Sequence, residues 1–202
     1  MPHDTGRVAA HPINPVFLDR WSPRAFTGEA IAEEELATIL EAGRWAPSAY
    51  NSQPWRFLYA RKGTAPWDTL LGLLAPFNQL WAREAAVLIV MVSRETLLPP
   101  GATEEIPSHS HSFDAGAAWA SVALQATLSG WHAHAMVGFD MARSREALNI
   151  PAGYRVEAAI AIGRRGPASL LPEKMAARER PSDRRSLAEL ALEGGFPAGA
   201  ES

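Results

Sequence analysis

Ala46-Pro47-Ser48-Ala49-Tyr50-Asn51-Ser52-Gln53-Pro54-Trp55 is the stretch on which the reading of this chain turns. A proline near each end holds a short polar run stiffly between two regular elements, because the ring fixes φ and removes a backbone donor. Upstream, Ile31, Leu36, Ile39, Leu40, Gly43 and Trp45 recur close to helical period among Glu33, Glu34, Glu35 and Glu41, and Pro47 stops the helix they predict. Three glutamates in its first turn suit the positive end of the helix dipole. Downstream, residues 55–60 alternate as a strand does. The asparagine and glutamine of the connection each offer a donor and an acceptor, which suits the edge of a heterocycle. A capped turn in which the asparagine bonds its own backbone is the simpler alternative.

The remaining elements follow from the same arithmetic. Asn14-Pro15 is a helix entry, with a cap residue before proline at the first helical position, and a short helix over 15–21 is ended by Pro23. Helices are predicted over 67–74 and 77–84. The run Ala85-Ala86-Val87-Leu88-Ile89-Val90-Met91-Val92 reads as a strand buried on both faces. Residues 94–112 form a long polar loop, of the kind that in compact domains is functional or mobile. An alanine-rich helix over 113–130 carries many small residues, which suits close approach to another helix, within the chain or across a dimer interface. Strands are expected over 132–136 and 156–162, with a short helix over 141–149. Beyond residue 163 the chain is polar and proline-rich, with helical character only over 187–192. Such a tail cannot build a core and must wrap this subunit or a neighbour. The organisation expected is a flexible arm over 1–14 and a single domain over 15–202.

Composition narrows the function. The chain has 202 residues, 47% of them hydrophobic and 20% charged, enough to bury a core. A net charge of −3 and a pI near 6.1 argue against nucleic-acid binding. The absence of cysteine excludes disulfides, thiolate metal sites and a cysteine nucleophile. No apolar run approaches the ~18 residues of a membrane span, and the first residues lack the apolar core of a secretory signal. The expectation is a cytoplasmic protein that binds no membrane.

Two basic groups are candidate anion sites. Arg20, Ser22 and Arg24 alternate just after the short helix, so an extended backbone points them the same way. Two guanidiniums and a hydroxyl suit a phosphate. Arg184 and Arg185 lie in the tail and gain meaning only if the fold carries them to Arg20. His109 with His111, and His132 with His134, have the His-x-His form that can face one metal, but no third ligand falls at helpful spacing, and no metal site is expected. Neither a G-x-S-x-G elbow, a P-loop nor a G-x-G-x-x-G turn is present.

Taken together, these segments resemble the nitroreductase family of FMN-dependent flavoproteins. Arg20-Trp21-Ser22-Pro23-Arg24-Ala25-Phe26 resembles its R-x-S-x-R-x-F signature, and residues 46–55 resemble its APS-x-x-N-x-QPW segment. Asn78 precedes the buried strand where the family places a flavin-contacting asparagine. His134-Ala135-Met136-Val137-Gly138-Phe139-Asp140 resembles the H-x-M-x-GFD stretch of one branch, and Arg184-Arg185-Ser186-Leu187 resembles the tail's arginine element.

The resemblance implies an α+β fold, with a central, mostly antiparallel sheet flanked by helices. It implies an intertwined homodimer whose C-terminal tails wrap the partner and whose two FMN sites lie at the interface. Arg20 and Ser22 would hold the FMN phosphate together with Arg184, helped by Arg185. Arg24 would lie nearer the pyrimidine end, and Asn78 would bond the pyrimidine edge. Pro47, Ser48 and Asn51 would approach the flavin from the partner subunit. Met136, Val137 and Gly138 would line the isoalloxazine. The implied reaction is ping-pong hydride transfer from NADPH or NADH, through flavin N5, to a small aromatic acceptor such as a nitroaromatic or a quinone. The chemistry is borne by the flavin, so no side chain is named as catalytic. A non-catalytic flavin-binding or sensor protein, or a flavoenzyme of the same fold that dehalogenates or destroys flavin, stays open at this point.

Overall fold

The computed structural model describes residues 5–197; residues 1–4 of the expected arm and 198–202 of the expected domain lie outside the described residues. The central sheet has four strands, β1 (Trp55–Arg61), β2 (Val87–Arg94), β5 (His132–Met136) and β6 (Tyr154–Gly163), in the order β1-β2-β6-β5, every pair antiparallel. A register shift between Met91 and Val92 marks a bulge against β6. Residues 87–93 of β2 are all buried, as a strand covered on both faces requires.

Alternation along the two central strands divides the core. Ile89 and Met91, with Ile160 and Ile162, face α2 (Glu33–Arg44) and α5 (His111–Leu128), where Ile39, Val122 and Trp131 complete the cluster. Leu88, with Ala159 and Ala161, faces α3 (Trp67–Leu73) and α4 (Pro76–Ala82) and meets Trp67, Leu70 and Trp81. Val90 and Val92 pack with Leu73 and with Ile150, just beyond α6 (Met141–Ala147). The helix α2 lies hard against α5 and the sheet at Gly43, where a Cβ would stand 2.7 Å from Val122 and 2.9 Å from the Phe57 ring. Glycine is the residue that allows this approach.

Five expectations need adjustment. The first helix is shorter than predicted, α1 (Val16–Asp19), and β2 begins at Val87, because Ala85 and Ala86 form the entry to the sheet. The loop over 94–112 contains a small hairpin, β3 (Thr96–Leu97) with β4 (Ile106–Pro107), held by Glu105, which pairs with Arg94 and accepts from Thr96 Oγ1 at 2.6 Å. The long helix starts at His111, two residues earlier than predicted. The tail adds a 3-10 turn (Ala168–Leu170) and α7 (Glu173–Ala176) before α8 (Leu187–Leu190). Among the described residues, no helix is long and apolar enough to cross a membrane.

Candidate functional site

The end of α1 turns into an extended segment at Arg20, and there the predicted alternation brings two of three side chains together. Arg20 Nη1 donates to Ser22 Oγ at 3.4 Å. Both line a cavity of about 390 Å³ with Phe17, Trp119, Leu124 and Ala135. The Phe17 side also borders a second cavity, of about 530 Å³, which holds Arg7, Arg184, Arg185 and Leu187. Of the two tail arginines, Arg184 comes near enough for its charge to act on Arg20, whereas Arg185 shares only the second cavity. Among the described residues, no carboxylate lies within ion-pair distance of the Arg20 guanidinium. Burial, and then the charges of Arg7 and Arg184, push its pKa below the ordinary arginine value. A half-buried cation crowded by like charges is a ready site for an anion.

Arg24 goes elsewhere. Its side chain lines a separate cavity of about 500 Å³ with Phe77, Lys174, Met175 and Arg178. Its backbone is fixed by Glu179, whose Oε1 accepts from the Arg24 N–H at 2.6 Å and the Ala25 N–H at 2.8 Å. Pro23 is fully buried, and its carbonyl accepts from His134 Nδ1 at 2.9 Å. His134 stacks on Trp81, with ring centroids 4.7 Å apart, and Trp81 in turn meets Phe26 at 6.0 Å. Burial, first, and then the charges of Arg24 and Arg20 drive the His134 pKa down to about 4, against the hydrogen bond to Pro23. A neutral imidazole thus props the segment from behind.

In the first turn of α4, Asn78 Nδ2 donates to the Gly138 carbonyl at 2.9 Å, and Asn78 Oδ1 accepts from Trp81 Nε1 at 3.3 Å. An amide has two donors and two lone pairs on oxygen, so one N–H and one acceptor direction are left for a ligand. Met136 is turned into the core and is 8% exposed, whereas Val137 is 73% exposed. Of the three residues predicted to line a flavin ring, only Val137 offers a side chain to a ligand, with Gly138 offering backbone.

The connection over 46–54 sits against the first turn of α5, and none of its residues lines the three cavities. It is tightly wound: Tyr50, Asn51 and Gln53 have φ of 52°, 53° and 46°. Such backbone costs of order 1 kcal/mol per residue and needs outside support. Ser48 Oγ accepts from the Gln53 N–H at 3.0 Å. The buried carboxylate of Asp114, in the first turn of α5, accepts from the Ala49 N–H at 3.2 Å and from Ser110 Oγ at 3.0 Å. Pro47, Tyr50 and Asn51 stay exposed.

Ser93, His111 and Glu157 have the residue types of a hydrolase triad but not its arrangement. Ser93 is fully buried. Its Oγ donates to Glu157 Oε1 at 2.5 Å and accepts from His111 Nδ1 at 2.7 Å. The hydroxyl proton is aimed at the carboxylate rather than the imidazole, so the group is a structural knot and not an activated nucleophile. Among the described residues, no three His, Asp or Glu side chains are placed to hold a metal ion. Arg7, Asp114 and Glu179 escaped the sequence reading; each acts on backbone groups far along the chain, which leaves no local pattern.

Comparison with known proteins bears on the fold and the family. The model of the Nitroreductase family matches residues 18–66 and 64–164. A crystal structure of an oxidoreductase containing FMN superposes with a TM-score of 0.92 at 49% identity, covering 98% of this chain and 99% of that one. A Desulfovibrio desulfuricans protein, named a nitroreductase and crystallised with FMN, gives a TM-score of 0.68 at 31% identity over 92% of this chain and 100% of that one. A 15.4 kDa Mycolicibacterium smegmatis protein encoded in the ask 5′ region is 32% identical over 148 residues, 69% of this chain and 95% of its own length. A Thermus thermophilus NADH dehydrogenase is 29% identical over 173 residues, 72% of this chain and 83% of its own. By the family model, which matches well over half of the chain, and by topology, the chain belongs to the nitroreductase family.

Proposed function

We propose that the protein is an FMN-dependent NAD(P)H oxidoreductase. The observation that carries this reading is the cation cluster: Arg20, Arg184 and Arg7 crowd together with Ser22, and no described carboxylate pairs with Arg20. A phosphate monoester dianion would satisfy those charges, and the spare donor and acceptor of Asn78 match the alternating N–H and C=O of a flavin pyrimidine edge. The residues present therefore fit FMN. When bound, FMN supplies hydride acceptance from NADH or NADPH and its delivery to a nitroaromatic, quinone or similar acceptor in a second half-reaction.

The chain's own part is binding, orientation and electrostatics. Arg20, Ser22 and Arg184, with Arg185 beside them, hold the phosphate. Arg24 brings positive charge toward the pyrimidine end, with Phe77 on the same cavity and Asn78 next to it. Val137 and Gly138 border the ring, and Trp119, on the wall of the Arg20 cavity, shapes what enters. Pro47, Ser48 and Asn51 serve the partner subunit's site in a homodimer. Supporting that assembly, Trp45, Tyr50 and Phe113 are 74%, 66% and 82% exposed around the rigid connection. Residues 182–197 are exposed throughout, as a tail that wraps a second subunit would be when seen alone. The reading places the protein in the cytoplasm, where reduced nicotinamides are available.

The test is an absorption spectrum of purified protein followed by anaerobic addition of NADPH, then NADH. Flavin bands that bleach within turnover time support the reading, and the faster donor names the cosubstrate. Bands that persist point instead to a flavin-binding or sensor protein. No flavin, and no uptake of added FMN, defeats the proposal. Arg20→Ala is expected to lower FMN affinity by about tenfold or more without unfolding the protein.

A further inference from the structure

The third guanidinium of the cluster comes from the N-terminal arm, and its bonding differs from that of the other two. Arg7 Nε donates to the Ser182 carbonyl at 2.9 Å. Arg7 Nη1 donates to the Leu18 carbonyl at 3.1 Å and to the Arg20 carbonyl at 2.9 Å. The Ser182 carbonyl also accepts from Arg184 Nη1, at 3.3 Å. One side chain therefore joins the backbone of Arg20 to the carbonyl that holds Arg184, across a separation of 175 residues between Arg7 and Ser182. A planar guanidinium, with donors fixed in a fork, can reach three carbonyls at once; an ammonium group on a flexible stem is far less suited to it.

The clasp gathers like charge. Burial and the charge of Arg184 lower the Arg7 pKa, and Asp183 offsets only part of this. The backbone carbonyls absorb the donors of Arg7 but neutralise none of the positive charge. Three guanidiniums held within electrostatic reach of one another are useful where a multiply charged anion lies between them.

We infer that Arg7 is a positioning residue for a phosphate monoester: by clasping the tail to the end of α1 it sets Arg184 opposite Arg20, so that both close on one phosphate. The inference rests on the FMN reading above. On this view, the arm belongs to the cofactor site, although its residues carry none of the family motifs.

The experiment compares FMN with riboflavin, which has the same ring and ribityl chain but no phosphate, binding to apoprotein and followed by flavin fluorescence. Wild type is expected to prefer FMN strongly. Arg7→Gln is expected to bind FMN about 10- to 100-fold more weakly while binding riboflavin within about threefold of wild type. Equal weakening toward both flavins would mean that Arg7 only supports the fold, and no weakening toward either would mean that the clasp does nothing; each overturns the inference. A wild type that does not distinguish FMN from riboflavin defeats the phosphate reading itself, which separates the two failures. Should Arg7→Gln fail to fold, Arg7→Lys keeps the charge and loses the fork. A reduced FMN-to-riboflavin preference in that variant supports the clasp, and an unchanged preference overturns it.

Discussion

Asn78 and Gly138, 60 residues apart, are joined side chain to backbone at 2.9 Å, and a Cβ on Gly138 would stand 2.6 Å from that same Asn78 nitrogen. The glycine is therefore required by the asparagine rather than by its own backbone angles. Gly138→Ala must push the amide away, breaking its bond to the carbonyl and its contact with Trp81 Nε1. Overpacking of this kind costs about 1–3 kcal/mol. The predicted outcome is a lower melting temperature together with FMN affinity reduced by about tenfold, read by thermal melting and flavin titration. If the protein is destabilised but binds FMN as well as wild type does, Asn78 is not a flavin contact.

The rigid connection over 46–54 depends on one buried acid. Asp114 accepts from the Ala49 N–H and from Ser110 Oγ, and so anchors from outside a turn that otherwise relies on its own bonds, Gln53 N–H to Ser48 Oγ and Gln53 Nε2 to the Asn51 carbonyl. Asp114→Ala is expected to cost about 2–3 kcal/mol, since it strips a buried acceptor from a backbone donor. The check is hydrogen exchange. Amides over 48–53 should lose protection well before those of β2. If the connection keeps its protection in the variant, the anchor has been misassigned.

His134 gives the stability a pH dependence whose sign can be worked out. Its folded pKa, about 4, lies below the ordinary value of 6.5, so the unfolded chain binds more protons between those values. Stability is then complete above pH 6.5 and falls as pH drops toward 4, by roughly 3 kcal/mol for a shift of this size. Denaturant midpoints measured between pH 4 and 7 should show this slope in wild type and a shallower one in His134→Gln. Equal slopes would place the acid sensitivity elsewhere.

Much of this arrangement is written locally in the chain. The helical spacing of Leu36, Ile39, Leu40 and Gly43, and the unbroken apolar run over 87–92, are properties of neighbours, and they lead directly to α2 and β2. The two prolines framing residues 47–54 likewise define the rigid connection before any contact is known. What the chain hides is long-range. That Arg184 reaches Arg20 depends on the path of the whole tail. Glu179 meets Arg24 from 155 positions away, and Arg7 bonds only carbonyls, which are the same in every residue type. The hairpin within 94–112 pairs two residues with two, too few for an alternation to register. Alternation at 20, 22 and 24 predicted a shared direction, yet Arg24 enters a different cavity, because Glu179 fixes the backbone at Arg24 and Ala25.

Ser93 is the last residue whose removal should be felt well beyond its size. It stands opposite Trp55 in the β1–β2 ladder, where the rigid connection ends. Its hydroxyl links His111, the first residue of α5, to Glu157 on β6, which also accepts from Ser112 Oγ at 2.7 Å and pairs with Arg155 at 3.6 Å. A chain running from imidazole to hydroxyl to carboxylate strengthens each bond through the next. Ser93→Ala deletes the middle group. It leaves the His111 N–H and one lone pair of Glu157 short of a partner at a site from which water is largely shut out. The expected cost is about 2–3 kcal/mol, more than a serine-to-alanine change costs at an exposed site. Because the knot ties the start of α5 to β2 directly opposite Trp55, where the connection ends, the variant should also loosen residues 48–53, as Asp114→Ala does. Combining the two changes should destabilise by less than their sum, since both release the same segment. Full additivity in that double-mutant cycle would show that the knot and the Asp114 anchor act independently.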